Sequence, residues 1–250
     1  MNELEYYEKE KNWDFSYFDI ETEKLTNWNM YDILSKNTNK DSKILDLGTG
    51  GGEKLLKYFP EVSEILGTDY SPEMIKTANQ NLIKSKRKNI QFKQMDNLNM
   101  ITKEDYFDVV VARHTVTDPK QIYKTLKQNG LLIVRGVDKL DCWDLKYLYK
   151  LGQGYFDEKH ISQVDYEAII DAGFKDVELV PIYEREYFKS KEQFIEFLLK
   201  VPILDDFSEI NLTHEKTKLD LDKIDEYICE NTKEKGIVLK RNYYGITARK

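Results

Sequence analysis

The residues with the most chemical content lie between positions 44 and 74. In Ile44-Leu45-Asp46-Leu47-Gly48-Thr49-Gly50-Gly51-Gly52 an apolar run ends in a glycine-rich turn. Glycines in such a turn permit positive φ and let a ligand approach the backbone. Free amides at the start of a following helix can also meet it. Asp69 comes 21 residues after Gly48, close to the roughly 20-residue spacing that sets an acid on a ribose hydroxyl. Asp46 stands two residues before Gly48. Two carboxylates at the mouth of one turn repel a pyrophosphate and suit a ligand that carries positive charge.

Nicotinamide dinucleotides and S-adenosylmethionine both use a strand, a glycine turn and a distal acid. The dinucleotide fingerprint needs glycine or alanine at its sixth position, so that the helix packs closely and the pyrophosphate can approach. Here that position is Glu53. S-adenosylmethionine carries a sulfonium and an ammonium, which match the acid pair. The residues therefore favour a methyl donor.

Five segments in order resemble the class I S-adenosylmethionine-dependent methyltransferase family. They are Asp46 to Gly52, Gly67-Thr68-Asp69-Tyr70-Ser71-Pro72-Glu73-Met74, Gln94-Met95-Asp96-Asn97, Phe107 to His114, and Leu126 to Leu132. The resemblance runs from Lys43 to Val134 and continues more loosely to the C-terminus. It implies an α/β, Rossmann-like, doubly wound seven-stranded sheet with its last strand antiparallel, plus a helical cap. It also implies roles. Asp46, Gly48, Thr49 and Gly50 would surround the methionine part of the donor, and Asp69 would bind the ribose hydroxyls. Tyr70 and Met74 would lie against the adenine, Asp96 would accept from the adenine amino group, Asn97 would join the donor-binding set, and the Arg113 backbone would lie near the methionine amine. Tyr70 and Met74 also suit ordinary core packing, and Asp96 also suits a turn before Asn97.

The elements that must position these residues can be read from periodicity. Strands are predicted at Lys43–Leu47, Ile65–Thr68, Ile90–Met95, Phe107–Ala112 and Leu131–Val134. Helices are predicted over Gly52–Phe59, from Ser71-Pro72-Glu73 onward, and over Pro119–Lys127. Ser71 is a helix cap, and Met74, Ala78 and Leu82 give that helix its buried face. Alternating apolar strands and helices predict a parallel, doubly wound sheet. After Gly136 the rhythm changes. Helices are predicted at Ser162–Ala172, after a capping box at Ser190, and at Leu221–Asn231, with a polar loop over 202–220. Strands are predicted at Phe174–Ile182 and Ile237–Ala248, the second broken around Gly245. One methyltransferase domain is expected over 1–250, with residues 1–40 and about 183–235 forming a substrate cap. The N-terminal piece holds Tyr6, Tyr7, Trp13, Phe15, Tyr17, Phe18, Trp28 and Tyr31. These aromatics either anchor a helical arm or line an acceptor pocket.

A net charge of −7 argues against a long phosphate backbone as partner. The cluster Lys84-Ser85-Lys86-Arg87-Lys88 suits a helix C-terminus. No metal site is expected, because the two cysteines and three histidines are scattered. No apolar run reaches a membrane span, and a cytoplasmic address is expected from the acidic start. The expected acceptor is a small molecule. RNA methylation and a non-catalytic donor-binding role are the alternatives. The Asn-Pro-Pro-Tyr type of motif is replaced by Arg113-His114-Thr115-Val116. His114 is the catalytic candidate, as general base if the acceptor must lose a proton; it equally suits a structural hydrogen bond. Oligomeric state is not legible.

Overall fold

Period-two alternation along the central strands decides the layers. The computed structural model describes residues 17–205 and 218–250. In order, its elements are β1 (Ile20–Lys24), α1 (Met30–Lys36), β2 (Lys43–Leu47), α2 (Glu53–Tyr58), β3 (Glu64–Asp69), α3 (Pro72–Ser85), β4 (Ile90–Gln94), β5 (Phe107–Arg113) and α4 (Pro119–Thr125). Then come β6 (Leu126–Val137), α5 (Trp143–Tyr149), α6 (Ile161–Asp171), β7 (Lys175–Phe188), α7 (Lys191–Lys200), α8 (Leu221–Asn231), β8 (Thr232–Lys233) and β9 (Gly236–Arg249). Ile44, Val109, Val111, Leu131 and Ile133 face α1, α2 and α3. Leu45, Leu47, Val110, Ala112, Leu132 and Val134 face α4 and α6. Both faces are covered, which is why these strands read as continuous apolar runs.

The sheet order is β1-β7-β9-β6-β5-β2-β3-β4, with β8 paired to β9. β4, β3, β2, β5 and β6 are parallel neighbours, while β9 runs antiparallel between β6 and β7. The seven-stranded arrangement with an antiparallel last strand is thus present, enlarged by β1 and β8 to nine strands among the described residues.

β7 and β9 pair from Lys175↔Arg249 to Phe188↔Ile237, whereas β6 pairs with β9 only up to Val137↔Tyr243. The β7–β9 ladder, edged by β1 along β7, therefore projects past the carboxyl ends of the parallel strands. α5, α7 and α8 pack on this projection in a separate apolar cluster that includes Leu145, Phe188, Phe194, Phe197, Ile224 and Leu239.

Several expectations differ from this. Residues 183–188 belong to β7 rather than to an insertion, because they continue the ladder with β9. β9 is not broken at Gly245: the Trp28 indole lies where a Cβ would sit, at 2.4 Å, so glycine serves packing there rather than a bend. The N-terminal arm is not helical throughout, since Ile20–Lys24 forms an edge strand on β7. In the expected polar loop, Pro202, Ile203, Leu204 and Asp205 are buried. α4 ends at Thr125, where Leu126 turns extended and is buried. α5 falls where the apolar pattern predicts no element. Tyr6, Tyr7, Trp13 and Phe15 lie outside the described residues. Among the described residues, no helix is long and apolar enough to cross a membrane.

Candidate active site

The turn after β2 is built by backbone conformations that side chains resist. Gly48 has φ 70° and Gly50 has φ 58°. A Cβ on Gly48 would meet Thr115 at 2.7 Å, so this glycine lets the chain after β5 close on the turn. A Cβ on Gly50 would meet nothing within 4 Å. The space above Gly50 is open, as a ligand cradle requires. Thr49 N donates to Thr68 O at 2.8 Å and ties the turn to the end of β3.

Asp69, at the end of β3, is fixed by two backbone amides. Its Oδ2 accepts from Gly50 N at 2.8 Å and its Oδ1 from Ser71 N at 3.0 Å. Each oxygen keeps a lone pair for another donor. Burial raises its pKa, and the amides of Ser71, Gly50 and Tyr70 oppose that rise. Ser71 caps α3, accepting from Met74 N.

Asp46 is buried beneath the turn. Burial pushes its carboxyl up to about 7; the Asp69 charge adds to the rise, while the Thr49 hydroxyl and Arg113 oppose it. The Thr49 hydroxyl lies near the carboxyl, yet no well-formed hydrogen bond closes and Thr49 Oγ1 is left without a partner. Asn97 Oδ1 is likewise buried and unpartnered. Asn97 Nδ2 donates to Thr115 Oγ1 at 3.0 Å and joins β4 to the chain after β5.

Asp96 sits in a turn. Its carboxylate accepts from Asn99 Nδ2 at 2.7 Å and Leu98 N at 2.8 Å, which holds its pKa low. Tyr70 is half exposed and outside the core, which removes the packing explanation for it. Met74 is buried. Asp46, Gly48, Thr49, Gly50, Asp69, Tyr70, Met74, Asp96, Asn97 and Arg113 thus gather at the carboxyl ends of β2 to β5 and the chain just beyond them.

His114 follows β5 with φ 53°. Arg135 Nη1 donates to its Nε2 at 2.6 Å. Desolvation of the ring, then the charges of Arg135, Arg113 and Arg241, hold its pKa well below the ordinary histidine value. The residue keeps solvent contact, so the three guanidinium groups are the firmer cause. A neutral ring that accepts at Nε2 carries its proton on Nδ1. In this arrangement neither nitrogen offers a free lone pair.

Sequence reasoning missed a polar stripe at the carboxyl ends of β5 and β6. Arg113 on β5 and Arg135 on β6 are in-register partners. Arg135 stacks 4.0 Å from the Tyr243 ring centroid and contacts Glu184 at 3.4 Å. Arg241 lies 5.0 Å from the same ring and is held by Asp141 at 3.0 Å and Glu186 at 2.8 Å. Tyr31 of α1 stacks on Tyr58, with ring centroids 4.7 Å apart, and its pKa is raised by burial against the opposing charge of Arg113. The only available signal was arginine at strand ends that are otherwise apolar. A small cavity of about 60 Å³ lies between α5, β9 and the chain after α7, away from the glycine turn, and is lined by Asp141, Lys146, Ile203 and Arg241 among others. It has room for only a few water molecules.

The chemistry of the donor set fits S-adenosylmethionine. An acid fixed to present lone pairs suits a ribose, a side-chain-free cradle suits close approach, and Asp46 with orphaned Thr49 Oγ1 and Asn97 Oδ1 suits a polar, cationic amino-acid end. Residues 38–170 match the methyltransferase-domain family. The chain belongs to that family. It is 41% identical over 76 residues to EEF1A lysine methyltransferase 2 of Mus musculus, covering 30% of this chain and 31% of that protein. Curated relatives match over no more than 40% of their own length. A putative methyltransferase of Bacillus halodurans C-125 superposes with a TM-score of 0.56 at 17% identity, over 88% of this chain and 98% of that one. Phosphoethanolamine N-methyltransferase 2 of Haemonchus contortus, solved in complex with S-adenosyl-L-methionine, superposes with a TM-score of 0.52 at 20% identity, over 89% of this chain and 52% of that one.

Proposed function

We propose that this chain transfers a methyl group from S-adenosylmethionine to a small-molecule acceptor. Gly48, Thr49 and Gly50 would cradle the methionine part and Asp69 would bind the ribose. Tyr70 and Met74 would flank the adenine with Asp96 at its edge, and Asn97 would face the amino-acid end. The observation that carries the acceptor class is the cap. The projecting β7–β9 ribbon, with α5, α7 and α8 on it, stands beyond the carboxyl ends of the strands, where ligands of open α/β sheets bind. Tyr31 of α1 lies close enough to Asp46 and Arg113 to feel both charges. Net charge is −7, which gives little attraction to a long polyanion.

Holding the acceptor atom in line with the methyl and sulfur supplies much of the rate, because the sulfonium is already an activated leaving group. His114 fits an orienting role better than that of a base, since Arg135 donates to its Nε2.

The Haemonchus enzyme's name specifies a small acceptor and the mouse enzyme's name a protein lysine. Incubation with methyl-labelled donor against a small-molecule extract, total protein and total RNA separates the readings. Label in the small-molecule fraction is expected. Label confined to protein or RNA would overturn the small acceptor, and label nowhere would favour a donor-binding protein without catalysis.

A further inference from the structure

Arg113 and Arg135 are Cα partners on adjacent parallel strands, so their side chains leave the same face of the sheet. Like charges directly opposite on neighbouring strands are unfavourable. The arrangement therefore calls for negative charge between them. Little is supplied. Arg135 has Glu184 at 3.4 Å and otherwise donates to neutral His114. Arg241 brings two carboxylates to the neighbourhood, but Asp141 and Glu186 are committed to Arg241 itself at 3.0 and 2.8 Å.

Arg113 is half-buried, and among the described residues no hydrogen bond or ion pair engages its guanidinium. Its five planar donors are thus left without an acceptor among the described residues. The carboxylate on the other side is Asp46, which pairs with Val111 and so sits diagonally from Arg113 on the same face. Asp46 is buried and only partly ionised near neutrality, so it is an incomplete counter-charge. Tyr31 of α1 is close enough to feel the charges of both Arg113 and Asp46, and the space above Gly50 is open.

We infer that Arg113, flanked by Arg135, is an anion-binding subsite that receives a carboxylate or phosphate group beside the glycine turn. The inference rests on donor binding at that turn. Two sources share this chemistry: the α-carboxylate of the donor's own methionine, and an acidic group on the acceptor. A guanidinium takes either in bidentate fashion.

Calorimetry on the full chain distinguishes them. S-adenosylhomocysteine carries the amino-acid end, and 5′-methylthioadenosine has the same nucleoside and thioether without it. If the donor's carboxylate is the ligand, Arg113→Met weakens S-adenosylhomocysteine roughly 10-fold or more, leaves methylthioadenosine unchanged, and Arg113→Lys recovers part of the loss. If the acceptor supplies the anion, S-adenosylhomocysteine binding is unchanged. In that case inorganic phosphate or benzoate binds the S-adenosylhomocysteine-saturated protein, and either Arg113→Met or Arg135→Met weakens that binding roughly 10-fold. Unchanged methylthioadenosine affinity and far-ultraviolet circular dichroism certify that each variant is folded. The proposal is overturned if both variants hold S-adenosylhomocysteine within about 3-fold of wild type and the saturated wild type binds neither anion, or the variants bind them equally well. A wild type that binds neither nucleoside would strike the donor site instead, and phosphate titration of the unloaded protein would then judge the arginine pair alone.

Discussion

Replacing Asp46 by asparagine removes a carboxyl that burial pushes up to about 7 from an ordinary 3.8. Near neutrality about half of the molecules carry its proton. A bound sulfonium and ammonium favour the ionised form, so donor binding expels that proton and strengthens as pH rises. If the bound carboxyl titrates well below pH 6, affinity falls about 10-fold from pH 8 to pH 6, or about 1.4 kcal/mol. Asp46→Asn should bind more weakly at pH 8 and lose this dependence; comparison with wild type cancels the titration of the ligand's own groups. The sign for folding is opposite. The folded pKa lies above the unfolded one, so the folded chain holds a proton that the unfolded chain releases. The stabilisation is complete below about pH 4 and is lost as pH rises through 7. The interval from 3.8 to about 7 corresponds to at most about 4 kcal/mol. Ligand-free Asp46→Asn should therefore show a flatter stability profile between pH 5 and 8. Calorimetry in buffers of differing ionisation enthalpy measures the proton, and urea unfolding across pH measures stability. Proton uptake on binding, or equal pH dependence in both proteins, would refute the assignment of this titration to Asp46.

Asp69→Ala removes the acceptor for Gly50 N and Ser71 N, at about 1.5–3 kcal/mol for each charged hydrogen bond. Donor affinity should collapse and melting temperature should fall with the chain still folded; wild-type affinity in a titration would place the ribose elsewhere. Gly50→Val forces a branched side chain to φ 58° and aims it into open space. It should abolish donor binding while far-ultraviolet circular dichroism stays native, and retained binding would mean that the cradle lies elsewhere. Arg241→Met strands the buried carboxylate of Asp141 and the half-buried one of Glu186. Urea unfolding should show a loss of about 3–5 kcal/mol, and a change under about 1 kcal/mol would mean that this network is not a buried ion cluster.

The sequence alone determined what depends on neighbours along the chain. The glycine turn, Ser71 as cap, α8 and the five parallel strands were legible, because φ limits, capping and apolar runs are local constraints. The acid pair was legible as a sign of charge: Asp46 and Asp69 are close in any fold that sets two adjacent parallel strands after one another. Tertiary structure alone decided which groups share a face. Arg113 and Arg135 are 22 residues apart and meet only through the β5–β6 register. Tyr243 reaches them because β9 inserts antiparallel beside β6. β7 runs on to Phe188 because β9 is there to pair with it. Gly245, legible as a break, is a packing site for Trp28 from 217 residues away. Strand pairing and burial are non-local, and one sequence carries no direct record of which distant residue supplies the partner.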